Sequence, residues 1–235
     1  MKTHEAEVGR LQDYVCIVAD AGATSGEAIA NRFVMEGARV VLATVQGGSR
    51  EGGITRIVHD GCDEAQWGRL VAETVGHFGR LDVLVNASIP ADGSTVENAS
   101  REHIVRSGEI MVEAVALACK YALPAMHRSA GRAAVVNVAP SAGLIGMPEN
   151  LTHALAGGAI AALTRSIAMH CFAQKYDIRC NAIFVAETAD VSLRSAEIAA
   201  AAVYLASPES GYVNGHSIAL DGGASSFVLR GLPNG

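Results

Sequence analysis

The residues able to do chemistry are few. His153 stands in "NLTHALAGG" (150–158), and an imidazole titrates near neutral pH, so it could serve as a general base. Asp20 and Glu149 are the carboxylates that could work with it. The competing reading of His153 is a capping or surface residue at a helix start. A second stretch, "ADAGATSGEA" (19–28), could cradle an anion, because backbone N–H groups at a helix N-terminus attract negative charge. Asp20 would set a like charge there. The five cysteines, at 16, 62, 119, 171 and 180, form no CxxC pair and no metal-ligand spacing. They read as buried, reduced thiols.

Positioning these residues takes a regular alternation of elements. Apolar runs predict strands over 14–19, 38–45, 53–60, 81–88, 132–140, 178–185 and 216–222. Helical spacing predicts helices over 26–37, 63–79, 101–127, 152–173 and 195–206. Strands such as "VVLATV" lack polar alternation, as expected of strands covered on both faces. Right-handed crossovers turn the order into one Rossmann-type, doubly wound parallel α/β sheet of about seven strands, helices on both faces. The 235 residues suit a single domain over 1–235.

Composition agrees. Half the residues are hydrophobic and only 5% aromatic, so packing must come from Ala, Val, Leu, Ile and Gly. A net charge of −6 with scattered basic residues suggests neither a nucleic-acid face nor a membrane patch. No leader or membrane-length apolar run is evident, and a cytoplasmic location is expected.

The stretches "GRLDVLVN" (79–86), "CKYALPAM" (119–126), "VVNV" with "SAGLIG" (135–146), "IRCNAI" (178–183), "AAVYLAS" (201–207) and "GHSIALDGG" (215–223) resemble the short-chain dehydrogenase/reductase family over nearly the whole chain. Active members are similar in binding NAD or NADP in the first half and exchanging hydride with a carbonyl carbon. They use Asn, Ser, Tyr and Lys for this. The resemblance places those four on Met111, Pro140, His153 and Gly157. A phenol donates the proton and needs a neighbouring ammonium to lower its pKa. A serine hydroxyl stabilises the oxyanion by about 3 kcal/mol. Pro140 has no hydroxyl and Gly157 no charge.

The family's glycine-rich loop falls on Asp20, Thr24 and Gly26, of which only Gly26 is a glycine. Thr44-Val45, closing the second strand, offers no charge to the ribose, and the following helix is cut to "QGGSREGG" (46–53). Asp60 remains to meet the adenine amine. The lid before the 195–206 helix shortens to 187–194.

The resemblance therefore implies a degenerate member, with no catalytic residues and no dinucleotide bound by this chain. It would be a structural or regulatory subunit in a heterotetramer with an active homologue that binds NAD or NADP. A CoA-thioester alcohol dehydrogenase of anaerobic toluene catabolism is one such setting. The alternatives are a cofactor-independent lyase or isomerase using His153, and a small-molecule sensor. Apolar residues on the 101–127 and 152–173 helices, among them Val115, Ala156 and Ala161, are expected to face the partner.

Overall fold

The computed structural model describes residues 9–20, 24–45, 50–90, 93–129, 131–186 and 191–226. In chain order the elements are β1 (Val15–Asp20), α1 (Thr24–Met35), β2 (Arg39–Thr44), β3 (Arg50–Glu51), β4 (Ile54–Val58), α2 (Glu64–Phe78) and β5 (Val83–Asn86). They continue with α3 (Arg101–Arg128), β6 (Ala133–Pro140), α4 (Leu151–Ala173), β7 (Ile178–Val185), α5 (Val191–Ala206) and β8 (Ser217–Leu220). The sheet order is β3-β4-β2-β1-β5-β6-β7-β8. Seven strands run parallel, as the sequence predicts, and β3 is an antiparallel edge strand on β4.

β3 is what the sequence reading missed. Gly52 and Gly53 have φ of 56° and 86°, so the chain reverses where only glycine turns cheaply. A two-residue hairpin thus enters a stretch read as a truncated helix. Residues 46–49 lie outside the described residues.

Successive residues of each buried strand point to opposite faces, and the core divides accordingly. Ile17, Val41 and Leu84 pack with Trp67, Ala118, Ala122 and Ile160 under α2, α3 and α4. Cys16, Val18, Val40 and Val85 pack with Ile29, Phe33, Ala202 and Val203 under α1 and α5. Small residues let the helices sit close to the sheet. α3 and α4 have the length and apolar content of a membrane span, but both bury one side on the sheet through Ala118, Ala122, Ile160 and Cys171.

Of the residues expected at a subunit seam, Val115, Ala156 and Ala161 are buried in the chain's own core, whereas Ile110, Val112, Ala159 and Ile167 are half-buried and Ala162 is exposed. Large apolar side chains left exposed on α4 are Leu155, Met169 and Phe172. The cysteines are all free thiols. Burial pushes Cys119 up to about 12 and Cys171 to about 11. Cys62 is the one not buried.

Candidate functional site

In a doubly wound sheet, ligands lie beyond the carboxyl ends of the strands, where the strand order reverses. Here that point is between β1 and β5, which are neighbours in space with three strands' worth of chain between their uses. The register brings Asp20 opposite Thr44, Ala19 opposite Asn86, and Asn86 opposite Asn137. One short rim therefore gathers residues scattered over more than a hundred positions.

A cavity of about 240 Å³ opens at this rim. Ala19, Asp20, Ala43 and Val45 wall one side, and Asn86, Ser88, Met111 and Val115 the other; Asp60 and Cys62 also line it. Asp60 is exposed, and its carboxylate accepts a 3.0 Å hydrogen bond from the Cys62 amide. Trp67, the single tryptophan, lines the cavity and donates from its indole to the Gly61 carbonyl at 2.8 Å.

Met111 sits in a π turn, Glu109–Glu113, within α3. Such turns concentrate at functional sites because they re-aim side chains. Met111 is buried and contributes a thioether to the cavity wall. Pro140 closes β6, buried, with no hydroxyl to offer.

His153 lies in the first turn of α4 but is neither surface nor cap. It is buried, and its Nε2 lies 2.7 Å from the Pro90 carbonyl. A carbonyl only accepts, so this nitrogen carries a proton. Glu149, its suggested companion, is exposed.

Gly157 is pinned. A Cβ there would stand 2.7 Å from the Pro140 carbonyl oxygen and 2.7 Å from Gly143 Cα. The short 3₁₀ turn Ser141–Gly143 thus packs backbone to backbone on α4. The close neighbour of α4 at this point is this turn and not another helix.

Sequence reasoning overlooked a buried amide chain. Asn86 donates to Asn137 at 2.8 Å, and Asn137 donates to Thr164 at 3.0 Å and to the Cys180 sulfur at 3.6 Å. It ties the cavity wall on β5 to β6, β7 and α4. An Asn in each of the consecutive strands β5 and β6, Asn86 and Asn137, was the available signal. His59 was also missed. It is buried beside Trp67, with ring centroids 4.3 Å apart, and among the described residues its Nε2 finds no partner. Burial lowers its pKa, so it stays neutral.

A family model described as Enoyl-(Acyl carrier protein) reductase matches residues 22–192. The chain belongs to the short-chain dehydrogenase/reductase family. It is 28% identical to the NADP-dependent (R)-specific alcohol dehydrogenase of Lentilactobacillus kefiri, over 91% of this chain and 97% of that protein. It is 30% identical to the 2,5-dichloro-2,5-cyclohexadiene-1,4-diol dehydrogenase of Sphingobium indicum, over 92% and 99%. Among solved structures, the Thermoplasma acidophilum aldohexose dehydrogenase superposes with a TM-score of 0.82 at 25% identity, over 97% of this chain and all of that one.

These relatives overturn two expectations. They are named as working dehydrogenases, one of them NADP-dependent, and they match from end to end. A non-catalytic structural subunit, and a chain that binds no dinucleotide, are not what this kinship supports. The physical reason lies in the cavity. Each replaced residue was counted as a loss, yet the crevice between β1 and β5 stays open and keeps Asp60 and Asn86 on its wall.

The residues suit the two ends of a dinucleotide unequally. Asp60 at the mouth and the apolar wall of Ala43, Ile110 and Ala114 suit an adenine ring. At the pyrophosphate end the fit fails as the side chains stand. Gly26 leaves room at the start of α1, but the Asp20 carboxylate fills it: a Cβ on Gly26 would lie 2.6 Å from Asp20 Cγ. Thr24 begins α1, and its side chain lies outside the described residues, as do residues 187–190 of the shortened lid. Thr44 is buried and Val45 half-exposed, and neither adds charge.

Proposed function

We propose that the chain is an oxidoreductase of this family, acting in the cytoplasm on a secondary alcohol or its ketone with NAD or NADP. The observation that carries the reading is the cavity at the β1–β5 crevice, in a chain that matches named alcohol and diol dehydrogenases along its length. Five unpaired cysteines support a reducing compartment.

Hydride exchange is the chemistry a bound nicotinamide supplies. The proton at the substrate oxygen needs a group from the chain. Of Met111, Pro140, His153 and Gly157, only His153 can carry one. Its position is fixed twice, by burial in the first turn of α4 and by the bond to the Pro90 carbonyl. It is not on the wall of the β1–β5 cavity, so it holds the start of α4 in place and does not reach substrate there.

The test has two parts. Full-length protein is titrated with NAD⁺, NADH, NADP⁺ and NADPH, and hydride transfer is followed on a panel of secondary alcohols and ketones. Saturable binding and turnover with at least one pair are expected. Absence of any binding or turnover overturns the reading.

A further inference from the structure

We infer that Asp20 sets how tightly this chain holds a dinucleotide: its carboxylate occupies the pyrophosphate cradle and must leave before the ligand seats. The inference rests on the oxidoreductase reading above. Asp20 ends β1, is only 5% exposed, and still forms part of the cavity wall. A Cβ built on Gly26, in the first turn of α1, would overlap the Asp20 side chain, so no side chain fits there beside it.

The placement has its own logic. The twelve residues of α1 present a partial positive charge at their first turn, and a carboxylate is favoured there. The same partial charge is what draws the phosphates of a nucleotide. Asp20 thus holds, within the chain, the position that a ligand's phosphates would take. The two anions would share one place at the start of α1, and until Asp20 turns away they repel.

The surroundings do little to offset the repulsion. Thr44 and Val45 close β2 without charge. Arg106 is the cation on the cavity wall, and it is engaged with Glu109 at 3.3 Å and lies 3.9 Å from the Cys62 sulfur. That places it beside the base end, away from Asp20. The carboxylate is the end of a short side chain that is not free in the folded chain, so its exit is a rotation that also gives up an existing contact. The expected consequence is a weak but real dinucleotide site, whose affinity improves when the charge at position 20 is removed. A ligand without phosphates should not sense that charge.

Trp67 supplies the readout, since it is the sole tryptophan and lines the cavity. Wild type, Asp20→Asn and Asp20→Gly are each titrated with the four dinucleotides and with adenosine, by Trp67 fluorescence and by calorimetry. Asparagine keeps the shape and loses the charge; glycine empties the cradle. We expect both variants to bind dinucleotide at least tenfold more tightly than wild type, with adenosine affinity the same in all three. Unchanged adenosine binding also certifies that the variants keep a folded cavity. Equal dinucleotide affinity in wild type and variants overturns the inference and leaves the oxidoreductase reading standing. An equal gain for adenosine overturns it too, because the effect would then not be electrostatic at the phosphates. Failure of all three proteins to bind any dinucleotide overturns the oxidoreductase reading and the inference with it.

Discussion

Gly26 in the first turn of α1 and Gly157 in the second turn of α4 each touch a neighbour too closely to admit a methyl group, but the neighbours differ. At Gly26 the obstacle is the Asp20 side chain, its Cβ as well as its carboxyl group. At Gly157 it is the main chain of Gly143 and Pro140. Replacing Asp20 by glycine removes the first obstacle; no side-chain substitution removes a backbone turn held against a helix. The first half of the site is therefore adjustable, and the second half is fixed. The dinucleotide end could be opened by one substitution. The lysine that the family carries at position 157 could not be reinstated without moving the Ser141–Gly143 turn.

The largest expected effect follows from the fixed half. Gly157→Ala gains the helix propensity of alanine, about 1 kcal/mol. It also drives Cβ to within 2.7 Å of two backbone atoms, and overpacking of that kind costs about 1–3 kcal/mol or more. We expect a net loss of about 2 kcal/mol in urea unfolding. A variant as stable as wild type would show that the turn gives way, and the contrast with Gly26 would collapse.

A smaller effect is expected at the far end of α1, just past its last turn. Glu36 bonds Arg10 at 2.6 Å and Arg32 at 3.0 Å. The side-chain bond to Arg10, helped by the Arg10 amide and Arg32, holds the Glu36 carboxyl down to about 2. A carboxyl whose pKa is depressed on folding stabilises the protein above its unfolded pKa. That stability is lost as pH falls through the folded value. Glu36→Gln should thus cost about 1–2 kcal/mol at pH 7, discounted for the partial exposure of its partners. The cost should fade between about pH 4.5 and 2. Denaturation at pH 7 and pH 3 measures it. Dinucleotide affinity should not move, because this end of α1 lies away from the cavity. A shift in affinity would mean that α1 transmits strain to Asp20, and the two ends could not be treated separately.

Much of the scaffold was legible because its signals are local. Apolar runs such as "IRCNAIFV" and the helical spacing of α2 and α4 are set by period alone, and each sits within a few residues of its predicted bounds. β3 was not legible, because two strand residues carry no period and the turn depends on paired glycines. The candidate site was legible only as a set of replaced positions. What those positions contact depends on strand register and on the descent of the 141–143 turn onto α4, which join residues far apart in sequence. Thus Asp20 could be read as a misplaced charge, but not as the occupant of the space beside Gly26. His153 could be read as a titratable group, but not as one buried against Pro90. The chain's likeness to working dehydrogenases corrected the inference of lost function, because replaced side chains alone do not report whether the crevice between β1 and β5 remains open.

The smallest effect, and the sharpest control, lies one residue beyond Gly157. Gly158 is exposed, and a Cβ built there meets no atom within 4 Å. It sits inside a regular α-helix, so it needs no unusual backbone conformation. Alanine at this position lowers the conformational entropy of the unfolded chain and adds no clash. Gly158→Ala should therefore raise stability by about 0.5–1 kcal/mol, opposite in sign to Gly157→Ala on the same helix. The pair, measured side by side by urea unfolding, separates propensity from packing, since propensity alone predicts two similar gains. Should Gly158→Ala instead destabilise the protein, its face of α4 would have to be covered in solution. The exposed Leu155, Met169 and Phe172 of the same helix would then be the first residues to examine by light scattering.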